Sequence, residues 1–386
     1  MRVLKRRPLL LELFLVLAIF THVSNPRARA AVLTQEKPVN LAARFARLHR
    51  GINLSHWFSQ AANYSKSHLD THTTAQDIAL IKAMGFDHVR FPIEPAPLMA
   101  DTPDPSILNN TYLAYVDSAL DTMLANGLAV IVDIHPSDEF KVRMARDEQG
   151  VQAFAKFWRA FAAHLSKRDP ESVFLEVINE PIVEDGYRWY GIQGKLIAAI
   201  RAGAPNHTII AAGHRWSGLP EMLFLEPYAD KNIIYNFHYY EPFTFTHQGA
   251  TWAGPNLPLY KNVPYPSSPE AVKPVLDMVP EDAARFNLLR YGEDHWDAAR
   301  IDRELGAAAA WAAKHHVYIT CNEFGAFRKV VKPADRIAWL QDMRVALEKH
   351  NIGWAMWDYA GGFSVVNKVN GQAQRDEAVL NALGLH

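Results

Sequence analysis

Two segments of the chain end in the same pair of residues. One apolar, β-branched run stops at Asn179 and Glu180, and a second run of similar character stops at Asn322 and Glu323. A carboxylate at the end of a buried strand is costly unless it has partners or a chemical task. Two glutamates so far apart in the chain can meet only through the fold. Paired carboxylates in different environments can divide acid and nucleophile roles, which is the chemistry that hydrolyses glycosidic bonds.

Other polar and aromatic residues also stand where a predicted strand ends. Each one alone has a structural explanation, such as an ion pair, a satisfied core histidine or a packed aromatic ring. Together they favour a site, because a barrel gathers the carboxyl ends of its strands into one bowl. These residues are His56, Trp57, Arg90, His135, His214, Arg215, Trp216, His238, Tyr239, Tyr240, Trp357 and Asp358.

The elements that would position these residues alternate between strand and helix along the body of the chain. The strand candidates are continuous apolar runs, as expected for strands that are covered on both faces. They are 51–55, 88–91, 129–135, 173–179, 208–213, 233–239, 317–322 and 353–357. Eight such units predict an α/β fold of the (β/α)8 TIM-barrel type, in a single domain. A doubly wound sheet is the alternative, but the first predicted strand lacks the glycine-rich turn that usually follows in that fold.

One connection, between the sixth and seventh predicted strands, is much longer than the others. Its segment 241–296 is rich in proline and aromatic residues and includes Trp252. Because it follows a strand, we expect it to form a long loop over the C-terminal face of the barrel, where barrel active sites lie. Long loops are more often functional than idle, although a purely structural cover of the rim is the alternative.

Composition and charge narrow the class of protein. The 386 residues are 49% hydrophobic and 21% charged, which suits a globular chain with a large core. The formal net charge is −1, but the first 30 residues hold six basic residues and one acidic residue. The remainder therefore carries an acidic excess without a basic block. This argues against nucleic acid or an anionic membrane as a partner.

The N-terminus has the order of a secretory signal. Basic residues over 2–7 precede an apolar stretch over 9–20, and small residues follow at 28–30. This pattern predicts a signal peptide over 1–30 and export to the periplasm or the extracellular space, without membrane attachment once the signal is removed. An uncleaved anchor is the alternative, but this stretch of 12 residues, which Glu12 interrupts, falls short of the roughly 20 needed to span a bilayer. Arg6 and Arg7 also hint at a twin-arginine signal. We expect the catalytic domain to occupy 41–386.

The single cysteine, Cys321, lies within a predicted strand. No intramolecular disulfide can form. A nucleophilic role is conceivable, but a buried and inert thiol is the favoured interpretation.

Ordered motifs along the chain resemble those of glycoside hydrolase family 5, the cellulase family within the clan of (β/α)8 retaining glycosidases. The matching pieces follow the family order from about residue 45 to the C-terminus. They are 50–54, 89–92, 133–135, 178–181, 238–240, 322–325 and 354–357. The Asn-Glu-Pro motif alone is moderately specific, whereas the ordered set is specific.

The resemblance implies roles for the paired glutamates and their neighbours. Glu180 would be the general acid/base, and Glu323 would be the nucleophile that forms a glycosyl-enzyme. Asn179 would bind the sugar 2-hydroxyl, while Tyr240 and Arg90 would hold Glu323 ionised and oriented. A cation and a hydroxyl donor beside a carboxyl lower its pKa, so this division agrees with the chemistry. The acid would need a raised pKa to keep its proton.

The resemblance also implies which side chains contact the substrate. His135 and His238 would line the cleavage subsite, with His238 near Glu180, and Trp357 would lie beneath the sugar ring. Sugar rings present apolar faces to aromatic side chains, so several tryptophans indicate an oligomeric or polymeric substrate. The further candidates for substrate contact are His56, Trp57, Trp216 and Trp252.

These observations predict an exported, retaining glycoside hydrolase that cleaves β-linked glucan, most simply an endo-1,4-β-glucanase. A β-mannanase or a β-1,3-glucanase of the same family is the nearest alternative. A carbohydrate-binding barrel without catalysis is the alternative from another class. A metal-dependent hydrolase using His56, His135, His238 and Asp358 is disfavoured, because these residues lack a short ligand spacing. We expect no cofactor, no metal and a monomer.

Overall fold

Eight short apolar segments form parallel strands that are covered on both faces. In the computed structural model, which describes residues 39–386, they close into a barrel in sequence order. The strands are β1 Arg50–Asn53, β2 His88–Ile93, β3 Ala129–Ile134, β4 Val173–Glu176, β5 Thr208–Ala212, β6 Ile233–Tyr239, β7 Tyr318–Phe324 and β8 Gly353–Met356. The predicted (β/α)8 barrel is confirmed, and the closed order excludes a doubly wound sheet. The predicted signal peptide lies outside the described residues.

Helices follow the strands and cover the outside of the barrel. They are α1 Leu41–Phe45, α2 Lys66–Thr71, α3 Ala75–Ala83, α4 Pro95–Leu98, α5 Asn110–Ala125, α6 Asp138–Arg146, α7 Glu148–Leu165, α8 Gly186–Gly203, α9 His214–Ser217, α10 Leu219–Leu223, α11 Phe243–Thr246, α12 Pro269–Leu276, α13 Asp282–Glu293, α14 Ala298–His315, α15 Pro333–Lys349 and α16 Glu377–Ala382. An antiparallel hairpin of β9 Val366–Val369 and β10 Gln372–Arg375 follows β8. Within residues 39–386, every helix is too short or too polar to cross a membrane.

The connection between β6 and β7 is long, as predicted, and about half of its segment 241–296 is helical. It contains α11, α12 and α13 and a 3-10 turn over Leu257–Leu259. Buried aromatic residues attach this connection to the rest of the domain. Phe245 and Tyr265 are buried, and the Tyr265 hydroxyl donates to Asp342 of α15 at 2.8 Å. Most of the aromatic signal in this segment therefore reflects its own packing against the barrel helices.

The interior of the barrel changes character along its axis. Ile131 and Phe174 are fully buried in an apolar layer near the N-terminal ends of the strands. Successive inward-facing side chains of a strand are two residues apart, so the next ones on the same strands are Asp133 and Glu176. Both carboxylates are buried. The barrel thus carries a polar layer directly beneath its C-terminal mouth, where the candidate site lies.

Trp57 does not reach that mouth. The prediction that it contacts substrate is wrong, because the side chain is packed in the hydrophobic core and lines no cavity at the mouth. Its indole packs against Phe58 and Phe91, with ring centroids 4.9 and 5.6 Å away. The indole N–H donates to the carbonyl oxygen of Leu69 at 2.8 Å. Trp57 therefore joins the loop after β1 to the barrel wall.

Replacing Trp57 by alanine should lower the free energy of unfolding by about 3–5 kcal/mol, since it removes a packed aromatic side chain. Urea denaturation measures this change. Trp252→Ala is the control, because its side chain is 62% exposed and its removal should leave the free energy of unfolding nearly unchanged. Equal stability of the two variants would contradict the core assignment of Trp57.

Candidate active site

Glu180 stands on a sharp turn that follows β4. Regular pairing of β4 ends at Glu176, yet the backbone N–H of Asn179 still donates to the carbonyl oxygen of Ile134 at 2.8 Å. Glu180 then adopts a positive φ of 43°. A non-glycine residue in this region is unfavourable and recurs at functional sites. The turn leaves the Glu180 side chain partly exposed at the barrel mouth.

Glu323 is placed by a β-bulge in β7. Phe237 of β6 pairs with Cys321, but the next residue, His238, pairs with Glu323, so Asn322 is an extra residue in the ladder. Such a bulge redirects the side chains that follow it. The Asn322 side chain bonds within the polar layer of the barrel, donating to Glu176 at 2.8 Å. Glu323 consequently faces the mouth beside His238.

The fold brings Glu180 and Glu323 together around one imidazole. His238 Nδ1 lies 2.9 Å from Glu180 Oε1 and 3.6 Å from Glu323 Oε2. One oxygen of each carboxylate and one nitrogen of His238 all lie within 4.8 Å of one another. Their exposure differs, since the side chain of Glu180 is 26% exposed and that of Glu323 is 6% exposed. Two carboxylates therefore share one space in unlike surroundings.

Arg90 is the cation beneath this pair. It is fully buried, and its Nη1 donates to Glu323 Oε1 at 2.6 Å. Its Nε and Nη2 form a bidentate pair with Glu176, each at 2.9 Å. Nη2 also lies 3.0 Å from Asp133 and donates to Asn179 Oδ1 at 2.9 Å. Asp133 and Glu176, which sequence analysis did not include among the site residues, thus fix the guanidinium that holds Glu323.

Burial is the largest influence on the pKa values of Glu323 and His238. Burial raises the pKa of Glu323, while the Arg90 charge, and that of His238 when it is protonated, oppose the rise. The expectation that its neighbours give Glu323 a lowered pKa is therefore wrong in net direction, because desolvation outweighs them. Burial also lowers the pKa of His238 to about 4, with Glu323 opposing. His238 is accordingly a neutral imidazole near neutral pH.

Two consecutive tyrosines have different partners. The Tyr240 hydroxyl donates to Glu323 Oε2 at 2.9 Å, whereas the Tyr239 hydroxyl donates to Glu304 of α14 at 2.8 Å. The strand alternation sends one side chain to the mouth and the other to the helix layer. With Arg90 on Oε1 and Tyr240 on Oε2, both oxygens of Glu323 accept a hydrogen bond.

Three further predicted residues form the floor beside Glu323. The ring of His135 stacks on that of Trp357 with centroids 5.7 Å apart. His135 Nδ1 lies 2.9 Å from Asp133, so a proton on Nδ1 leaves Nε2 as an acceptor. The side-chain oxygen of Asn179 accepts a hydrogen bond from Arg90, so its amide N–H groups can donate to a ligand. The floor thus offers a donor, an acceptor and an aromatic face.

A cleft crosses the mouth of the barrel and the carboxylate pair divides it. One part, which we call the Trp357 half, has a volume of about 790 Å³ and is lined by Glu323, Asn179 and Trp357. The other, the Trp216 half, has a volume of about 980 Å³ and is lined by residues of the loops after β5 and β6. Glu180 and Tyr240 line both halves, so the pair stands at their junction.

The remaining predicted contacts are distributed along this cleft. His56 lines the Trp357 half, and Trp252 lines both halves. Trp216 lines the Trp216 half and is 48% exposed. Its backbone has a positive φ of 56°, and its N–H donates to the carbonyl oxygen of Pro181 at 3.0 Å, next to Glu180. Sequence analysis missed Tyr64, Glu94 and Lys141, which also line the Trp357 half.

The side chains named for the metal-dependent alternative do not converge. Asp358 is buried, accepts from Ser55, and lines neither half of the cleft. Among residues 39–386, the group with spacing for a cation is instead Glu180, His238 and Glu323. Glu323 already accepts hydrogen bonds from Arg90 and Tyr240, which leaves it a poor metal ligand.

Burial raises the pKa of the Cys321 thiol well above its ordinary value, as expected of an inert cysteine.

The chain matches the model of the family described as cellulase, glycosyl hydrolase family 5, over residues 48–362. Endoglucanase C of Acetivibrio thermocellus is 29% identical over 320 residues, which cover 80% of this chain and 90% of that protein. Cellodextrinase A of Ruminococcus flavefaciens is 27% identical over 312 residues, which cover 78% of this chain and 83% of that one.

Solved structures agree with this match. The crystal structure of endoglucanase Cel5A from Thermotoga maritima is 26% identical, with a TM-score of 0.71, and the match covers 89% of this chain and all of the other. Structures of that protein are described in complex with cellobiose and with mannotriose. The family model spans most of the chain and includes both glutamates. The chain therefore belongs to glycosyl hydrolase family 5 and is a glycoside hydrolase.

Proposed function

We propose that the protein hydrolyses internal β-1,4-glucosidic bonds of a glucan, with Glu180 as general acid/base and Glu323 as nucleophile. The observation that carries this proposal is the meeting of the two carboxylates, within 4.8 Å, at the junction of the two halves of the cleft. A bond that crosses the junction would have one sugar in each half.

The positions of the two carboxylates indicate which sugar each half of the cleft would bind. Glu323 lines only the Trp357 half, so the sugar whose anomeric carbon it attacks must lie there. Glu180 lines both halves and can protonate the oxygen that joins the two sugars. Attack forms the bond from Glu323 to the anomeric carbon as the bond to that oxygen breaks and the Glu180 proton moves to it. Glu180 then takes a proton from a water molecule, whose oxygen bonds to the anomeric carbon as the bond from that carbon to Glu323 breaks.

The spacing of the pair supports retention of configuration. Retaining enzymes hold their carboxyl groups about 5–5.5 Å apart, whereas inverting enzymes need about 6.5–9.5 Å to fit a water. Oxygens within 4.8 Å belong to the first class. His238, at 2.9 Å from Glu180, positions the acid while the Arg90 guanidinium and the Tyr240 hydroxyl orient the nucleophile.

The floor of the Trp357 half supplies the contacts to the reacting sugar. The Asn179 amide N–H groups would donate to its 2-hydroxyl, His135 Nε2 would accept from another hydroxyl, and Trp357 would contact its apolar face. Trp216 and Trp252 would support sugars in the Trp216 half, where their exposed rings line the wall. Space on both sides of the junction supports cleavage within a chain.

The relatives favour β-1,4-glucan, since endoglucanase names recur among them and one similar solved structure is described as an endo-β-1,4-glucanase in complex with substrate. A β-1,4-mannan is the second candidate, because one similar endoglucanase is described with mannotriose.

We also propose that the protein is exported to the periplasm or the extracellular space, on the basis of the signal pattern over 1–30. A monomeric state stays a prediction.

Removing either glutamate should separate the two proposed roles. Glu323→Ala should abolish turnover of an aryl β-cellobioside, and added azide should restore a reaction that gives the α-glycosyl azide, since azide replaces the nucleophile. Glu180→Ala should slow hydrolysis of cello-oligosaccharides by roughly 10²–10⁴-fold. With azide and the aryl cellobioside it should give the β-glycosyl azide, which NMR distinguishes. The same azide anomer from both variants would contradict the division of roles.

Tyr240→Phe should move the acid limb of the kcat/KM profile to higher pH. Glu323 must be ionised to attack, so activity falls as the pH drops through its pKa. The lost hydroxyl donates to the ionised form, and its removal raises that pKa further. Tyr239→Phe is the matched control, because that hydroxyl bonds Glu304 and not Glu323. An equal displacement of the limb in both variants would refute the assignment of Tyr240.

Parallel assays on carboxymethylcellulose, β-mannan and laminarin should give the highest kcat/KM on carboxymethylcellulose. The measurement is release of reducing ends together with the fall in viscosity, which reports cleavage within chains. Higher activity on mannan would select the second candidate. Highest activity on laminarin would exclude the β-1,4-glucan assignment.

A further inference from the structure

The loops that follow β7 and β8 meet directly after Glu323. The backbone N–H of Trp357 donates to the carbonyl oxygen of Phe324 at 2.9 Å. Gly325 permits this approach, because a Cβ at that position would clash with the Trp357 carbonyl oxygen and lie 3.1 Å from the Phe363 ring. The two loops are therefore packed on one another beside the proposed nucleophile.

One buried guanidinium, that of Arg336, bonds to both loops. Arg336 lies on α15 and is 4% exposed. Its Nε donates to the carbonyl oxygen of Ala326 at 3.0 Å, in the loop after β7. Its Nη2 donates to the carbonyl oxygens of Phe363 at 2.6 Å and Ser364 at 3.1 Å, in the loop after β8. The guanidinium thus joins the two loops through three hydrogen bonds.

The contacts of Arg336 differ from those of Arg90, which bonds to carboxylates. Within the described part of the chain, all three acceptors of Arg336 are backbone carbonyl oxygens. Burial of a charge is costly, and an apolar side chain could fill the same space without that cost. The planar guanidinium donates in fixed directions, so it sets the position of one loop relative to the other. A role in holding the loops accounts for a buried cation at this position.

Phe363 connects this arrangement to the active site. Its side chain is 5% exposed and lines the Trp357 half. Its ring centroid lies 5.9 Å from that of Tyr240, with the two rings inclined at 61°. The Tyr240 hydroxyl in turn donates to Glu323 Oε2 at 2.9 Å. The carbonyl that Arg336 binds therefore belongs to the residue whose ring packs on Tyr240.

We infer that Arg336 is a positioning residue for the reaction, which fixes the backbone at Phe363 and thereby holds the Tyr240 hydroxyl on Glu323. This inference rests on the proposed function and adds to it a residue outside the cleft. Arg336 lines neither half of the cleft, so it acts only through the loops. A change at Arg336 should alter the ionisation of Glu323 without removing a side chain that contacts sugar.

Arg336→Lys keeps the positive charge but cannot donate to both loops through one planar group. Phe363 then gains freedom, the hydrogen bond from Tyr240 to Glu323 weakens, and the pKa of Glu323 rises. The acid limb of the kcat/KM profile on 4-nitrophenyl β-cellobioside should therefore move to higher pH, in the direction expected for Tyr240→Phe. The double variant should have the same limb as Tyr240→Phe alone, because the hydroxyl that Arg336 positions is absent.

Arg44→Lys is the matched control. Arg44 is 3% exposed on α1 and donates to the carbonyl oxygen of Asn206 at 2.6 Å, before β5 at the opposite end of the barrel. This variant should lower the free energy of unfolding and leave the acid limb at its wild-type pH. If Arg336→Lys does not fold, Phe363→Leu removes the ring that packs on Tyr240 and should move the limb in the same direction.

The outcomes separate this inference from the proposed function. A limb that moves in Tyr240→Phe but stays in place in Arg336→Lys would overturn the inference. Shifts that add in the double variant would also overturn it, since they would show that Arg336 acts independently of the Tyr240 hydroxyl. A limb that stays in place in Tyr240→Phe would instead refute the proposed role of Tyr240, and the inference with it.

Discussion

The candidate site depends on one buried guanidinium. Arg90 is fully enclosed in the barrel and contacts three carboxylates, Asp133, Glu176 and Glu323. A buried charge is tolerated only when partners with good geometry surround it. The planar, five-donor group meets this condition by facing carboxylates on several strands at once. A lysine at this position would provide a single ammonium group that cannot form the bidentate pair with Glu176. Arginine and lysine are therefore not equivalent here.

The cluster has fewer positive than negative charges, and this shortage shapes the chemistry. Burial raises the pKa of Asp133 to about 6, with the Arg90 charge opposing, and it also raises the pKa of Glu176. His238 cannot make up the shortage, because burial lowers its pKa to about 4. Burial therefore opposes negative charge throughout this layer. In the proposed reaction, bonding of Glu323 to the sugar would remove one negative charge from it.

Sequence reasoning succeeded where strand ends carried the signal. Continuous apolar runs located the eight strands, and the residues that end them, such as Glu180 and Tyr240, meet at the mouth of the barrel. It failed for Trp57, because two adjacent residues after a strand can point to opposite sides and the pattern does not say which faces the cleft. Glu94 and Lys141 were missed for a related reason. Glu94 directly follows β2, which runs to Ile93 and not only to residue 91 as predicted, and Lys141 lies on α6, whose direction is set by tertiary packing.

The placement of His238 links the two proposed roles. Its Nδ1 lies 2.9 Å from Glu180 and 3.6 Å from Glu323, and a neutral imidazole has a single N–H to donate. That N–H faces Glu180 more closely. In the proposed reaction Glu323 loses its charge when it bonds to the sugar, and Glu180 gives its proton to the leaving group in the same step. Glu180 would then stand as an ionised base beside the same imidazole. The short distance between the carboxylates thus allows one residue to serve as acid in the first step and base in the second.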